Sequence, residues 1–110
     1  MAQTAVIDLR NRSVARGSES NPIEPPLEVS RKATRWIIYL PLGSSEGPYD
    51  LRLLTSSGEP LVTMTSISTI SNGIASLQVS MDVSSARPGR YVLEIRKLDL
   101  QWNSYALGLH

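Results

Sequence analysis

The segment with the most suggestive chemical spacing is Gly43-Ser44-Ser45-Glu46-Gly47, which fits the Gly-x-Ser-x-Gly outline of a nucleophile elbow. A serine in that outline attacks a carbonyl only on a strained strand-to-helix turn, beside a histidine base and an oxyanion hole. Here the flanking residues read as strands on both sides, and the only histidine is the final residue, His110. The expectation is a turn and no catalytic serine. Asp8, Asp50, Asp82 and Asp99 fall on solvent faces or at strand ends, with nothing to converge two of them as acid–base catalysis requires. There is no cysteine, no Asp-x-Asp-x-Asp-Gly loop and no glycine-rich loop leading into a helix. No metal site, cofactor site or phosphate cradle is therefore expected, and the chain reads as non-enzymatic.

Two aromatic clusters suggest binding instead. Arg31, Lys32 and Arg35 stand beside Trp36, a combination that grips phosphates or anionic lipid heads when enough charges gather. Three charges are few, and the simpler reading is a solvated strand edge on which cations discourage strand pairing. Trp102 and Tyr105 near the carboxy-terminal end would suit an aromatic platform for a sugar. The simpler and preferred reading is that Tyr105, Leu107 and Leu109 alternate into a core while Trp102 closes a hairpin. Asn11-Arg12-Ser13 matches a glycosylation sequon, a tripeptide common by chance.

The elements that position these residues read as strands. Ile74 to Val83 alternates Ala75, Leu77, Val79, Met81 and Val83 against Ser76, Gln78, Ser80 and Asp82, the pattern of a half-buried strand. Arg90 to Lys97 and Tyr49 to Leu54 repeat it. Thr4 to Arg10, Leu27 to Ser30, Thr34 to Leu42, Leu61 to Ser66 and Trp102 to Leu109 complete eight segments. Between them lie turn residues: Gly43 to Pro48, Ser56 to Pro60, Ser71-Asn72-Gly73 and Arg87-Pro88-Gly89. Residues 11–26 hold Gly17, Asn21 and three prolines among other turn formers, and read as a long excursion between sheets. Trp36 to Leu42 stands apart because both faces are apolar, Trp36, Ile38 and Leu40 on one and Ile37 and Tyr39 on the other. Such a strand must be central and covered, or its second face must meet a partner. Trp36, Ile37, Tyr39, Trp102 and Tyr105 are accordingly the candidate partner-surface residues.

The 110 residues suffice for one core, and residues 1–110 are read as a single β-sandwich domain. Apolar residues at 41% and charged residues at 19% are ordinary for a globular protein. A net charge of +1 and a pI near 8.1 argue against a nucleic-acid partner, for which a pI above roughly 9 and a basic stripe are expected. No signal peptide is visible, and the apolar run Trp36 to Leu40 is far short of the ~20 residues that cross a bilayer. A membrane would be met only through a segment absent from this chain.

The segment Ala86-Arg87-Pro88-Gly89-Arg90-Tyr91-Val92-Leu93-Glu94-Ile95 resembles the corner of immunoglobulin-like and fibronectin-type sandwiches, where a tyrosine hydroxyl ties back to backbone at the turn. The resemblance implies an all-β, immunoglobulin-like sandwich of about seven to eight antiparallel strands, with Tyr91 as the corner residue. A wider resemblance rests on Ala5 to Arg10 with Arg16-Gly17, Tyr49 to Leu53 with Gly58-Glu59, Pro88 to Tyr91, and Ser104 to Leu107. It is similar to the extracytoplasmic β-domain of bacterial membrane-anchored, anti-sigma-factor-like regulators. That likeness implies an extracytoplasmic sensor or interaction domain with a protein or peptide partner, in which sigma binding lies elsewhere because its zinc ligands are missing here. The alternative is an accessory module of a secreted or surface protein, structural or binding carbohydrate.

Overall fold

Period-two alternation is realised as strands in the computed structural model, which describes residues 3–10, 27–98 and 100–110. The strands are β1 (Gln3–Asp8), β2 (Leu27–Val29), β3 (Ala33–Tyr39), β4 (Gly47–Thr55), β5 (Pro60–Ser71), β6 (Ile74–Ser80), β7 (Gly89–Lys97) and β8 (Asn103–Leu109). The fold is all-β, and every segment expected from the sequence overlaps one of these strands. The excursion expected over 11–26 lies outside the described residues.

Hydrogen bonding joins the strands in the order β1-β3-β6-β5-β4-β7-β8-β2. One strand bends the sheet on itself: residues of β5 from Pro60 to Ser68 pair with β4, and Thr69 to Ser71 pair with β6. This bend makes a sandwich-like, nearly barrel-shaped body with a single apolar filling. Trp36, Ile38, Leu77 and Val79 from the β1-β3-β6 half meet Leu51, Leu53, Leu93, Ile95 and Leu107 from the β4-β7-β8 half. Burial on that scale, at about 25 cal/mol per Å² of apolar surface, is the main force holding the halves together.

The expected β5 segment ended at Ser66, but the strand runs five residues further. Beyond Met64 its apolar alternation fails, since Ile67 is 69% exposed while Ser68 is sealed at 1%. The reason is the bend, where an inward position is polar and satisfied, the Ser68 hydroxyl donating to the Ser45 carbonyl at 2.9 Å.

A second difference concerns strand direction, because β1 pairs with β3 and β2 with β8 in parallel. The sheet is therefore mixed rather than wholly antiparallel. The chain places β1 at one edge and β2 at the other before β3 returns beside β1, and a parallel neighbour needs such a long connection.

Turn chemistry is as the sequence suggests. Asn72 and Gly73, at φ of 54° and 77°, form the two-residue turn between Ser71 and Ile74, the positive-φ pair that matches strand twist. The Tyr91 hydroxyl donates to the Arg87 carbonyl at 2.8 Å, so the corner expected from the sequence is present.

Candidate functional site

On the outward face of the β1-β3-β6 half, a row of apolar side chains remains uncovered by the described residues. Val6 pairs across to Ile37, which pairs to Gln78, and the next row is Asp8, Tyr39 and Ser76. The opposite side of β3 carries Trp36, Ile38 and Leu40, all at most 2% exposed. Ile37 and Tyr39 are only half-buried, and Val6 is 61% exposed. Thus the doubly apolar strand is central on one face and open on the other. A groove of about 300 Å³ runs beside it, lined by Ile37, Tyr39, Ile74, Ser76 and Gln78 among others.

Electrostatics frame one end of this face. The Arg10 side chain holds Asp8 through two bonds, Nε to Oδ1 at 2.9 Å and Nη2 to Oδ2 at 2.7 Å. These bonds keep the Asp8 carboxyl at about 2, well below its ordinary value. The same guanidinium lies 5.4 Å from the Tyr39 ring centroid, within cation–π range. The face is therefore apolar at Val6 and Ile37, with an aromatic and charged boundary at Tyr39 and Arg10.

Strand β1 also ends the sheet, and no strand pairs with its outer edge among the described residues. Edges are usually blunted by lysine, proline or brevity. β2, at the other edge, has only three residues. β1 has six, Gln-Thr-Ala-Val-Ile-Asp, with no lysine or proline, and its one irregularity is the register shift between Gln3 and Thr4, so the regular run is Thr4 to Asp8.

The other candidate residues fall elsewhere. Trp36 is fully buried and Tyr105 is 5% exposed, so neither is a surface platform, contrary to their place among the candidate partner-surface residues; their burial agrees with the core reading of Tyr105 and the covered-strand reading of Trp36. Both lie on inward positions of their strands, where the apolar filling covers the rings. Trp102 is half-buried outside the core, with the Arg52 and Arg96 guanidinium carbons 4.1 and 4.3 Å from its ring centroid. Those arginines are fixed in turn, Arg52 by Glu94 and Arg96 by Asp50 at 3.0 Å. The Thr65 and Arg96 bonds lower the Asp50 carboxyl below its ordinary value. Trp102 thus caps a cross-strand lattice on the outer face of β4 and β7. The structure brings Ile37 and Tyr39 together and separates them from Trp36, Trp102 and Tyr105.

Ser45 lies in the connection from β3 to β4. Its carbonyl accepts from the Tyr49 hydroxyl at 3.0 Å and from Ser68, and its hydroxyl accepts from Lys97. His110 sits at the opposite pole, beyond Leu109, which pairs with Gly89. The length of β8 separates them, roughly 20 Å at the rise of a strand. Among the described residues, no three His, Cys, Asp or Glu side chains converge, and Asp99 lies outside those residues, as does the Asn11 sequon.

The basic trio is dispersed. Arg31 donates to the Ala86 carbonyl at 3.0 Å, Lys32 is exposed in the turn before β3, and Arg35 stands on the outward face. β3 lies between β1 and β6, so Arg35 is not on a sheet edge as expected. Sequence reasoning missed Val6 and Ile74 as members of the open face. The alternation of Val6 with Ala5 and Ile7 was visible, but the parallel register that sets Val6 beside Ile37 was not.

No helix long and apolar enough to cross a membrane occurs among the described residues. No protein-family model, curated protein or solved structure matches the chain.

Proposed function

We propose that this chain is a non-enzymatic interaction domain that captures an extended peptide segment of a protein partner along β1. The observation that carries the reading is the coincidence of an edge strand free of lysine and proline, regular from Thr4 to Asp8, with an open apolar row, Val6 beside Ile37. An added strand would bond to the β1 backbone and drop alternate side chains next to Val6, which is how strand addition combines affinity with specificity. The tyrosine corner at Tyr91 is compatible with an immunoglobulin-like domain. The sequence resemblance would make this the outer domain of a longer, membrane-anchored bacterial regulator of anti-sigma type, working outside the cytoplasm.

The test is hydrogen exchange on the 110-residue chain with an alternating Thr-Val hexapeptide, capped at both ends. The expected result is slowed exchange at the outward-pointing amides of β1, abolished in Val6→Lys. Unchanged β1 exchange, or protection that survives Val6→Lys, would overturn the reading.

A further inference from the structure

We infer that the open end of the body, between the two sheet halves, holds a binding site for a small apolar monocarboxylate. The inference does not rest on the peptide-binding edge, which lies on the outward face of the other half. A cavity of about 210 Å³ opens there, lined by Leu40, Pro41, Ser44, Tyr49, Ile95, Arg96, Lys97, Asn103 and Tyr105. That is room for on the order of seven waters, so the ligand is small.

The lining has a consistent chemistry. Leu40, Ile95 and the buried rings of Tyr49 and Tyr105 make apolar walls. Among the described residues, no carboxylate lines the cavity. Its polar groups are donors or can act as donors: the Lys97 ammonium, the Tyr105 hydroxyl and the Asn103 amide. Lys97 is held in place by its bond to the Ser45 hydroxyl. The Arg96 guanidinium is turned away, bonded to Asp50 and stacked on Trp102, so Lys97 supplies the cavity's charge.

Tyr105 provides the second observation. Its side chain is almost wholly buried, yet its hydroxyl has no hydrogen-bond partner among the described residues and is not one of the sealed polar atoms. Buried tyrosines normally find a partner, and a phenol facing this cavity is available to one that enters. Burial also pushes the Tyr105 hydroxyl up to about 12, so it stays a donor at any physiological pH. One ammonium and one phenol match a single carboxylate. A phosphate dianion would leave a charge uncompensated in half-apolar surroundings, which is costly. The apolar walls then favour a carboxylate bearing a short aliphatic or aromatic body.

The test compares benzoate with benzamide, which share shape and differ in charge, by amide chemical-shift titration at neutral pH and constant ionic strength. Benzoate is expected to give saturable shifts at Ser44, Lys97, Asn103 and Tyr105, with benzamide at least tenfold weaker. Lys97→Met and Tyr105→Phe should each weaken benzoate at least fivefold, and Lys97→Gln serves if the methionine variant loses its native spectrum. Absence of saturable shifts, equal binding of benzamide, shifts centred on Arg31 and Lys32, or indifference to both substitutions would overturn the assignment. The β1 exchange experiment is read from different amides, so either site can fail alone.

Discussion

The Tyr91 hydroxyl reaches back four residues to the Arg87 carbonyl, and the Tyr49 hydroxyl reaches back four to that of Ser45. The two tyrosines open β7 and β4, which are antiparallel neighbours. Each corner therefore pins one pole of the same ladder, and a proline precedes each tyrosine, Pro88 just ahead of β7 and Pro48 as the second residue of β4. At the Ser45 pole the carbonyl accepts a second bond, from Ser68, so the bend in β5 is tied to the same point.

Removing either corner should cost little alone. Tyr91→Phe loses an exposed bond and is expected to lower stability by about 0.5 kcal/mol, and Tyr49→Phe by about 1 kcal/mol. Tyr49→Phe combined with Ser68→Ala strips both donors from the Ser45 carbonyl. The double variant should lose more than the sum of the single losses, as urea midpoints would show.

Trp36 fills the core with its indole Nε1 buried and without a hydrogen-bond partner among the described residues. Trp36→Ala should cost about 3–5 kcal/mol through the cavity it leaves. Trp36→Phe also removes the unpaired donor, whose burial costs about 1–3 kcal/mol. That offset should hold its net loss to about 1 kcal/mol in denaturant unfolding, far below the alanine variant.

Gly73, at φ of 77°, has open space where a Cβ would stand, so only backbone strain opposes a side chain there. Gly73→Ala should destabilise by about 1 kcal/mol. Asn72→Gly, at φ of 54°, should change stability by only a few tenths of a kcal/mol. Melting temperatures of the two variants would separate these outcomes.

Acid sensitivity follows from three carboxylates. The Arg10 bonds lower Asp8 to about 2, the Thr65 and Arg96 bonds lower Asp50, and the Ser84 bonds lower Asp82. Each folded value lies below the unfolded one, so the stabilisation is complete above about pH 4 and drains away as pH falls towards 2. Asp8→Asn should flatten that decline. Because Asp8 and Arg10 are substantially exposed, the substitution should cost less than about 1 kcal/mol at pH 7. Urea unfolding at a series of pH values checks both.

Local pattern carried most of what was legible in the sequence. Alternation marked β4, β6 and β7 and short turn-bounded runs marked the other segments, while Asn72-Gly73 and Pro88-Gly89-Arg90-Tyr91 marked turns, because strand faces and turn dihedrals depend on adjacent residues. The second apolar face of β3 was also visible as Ile37 and Tyr39. Tertiary structure alone decided the parallel pairing of β1 with β3, the bend of β5 at Ser68, and the stacking of Trp102 on Arg52 and Arg96. Each depends on which strands meet across the body. Cross-strand register joins residues far apart in the chain, and alternation says which side chains share a face without saying what lies opposite.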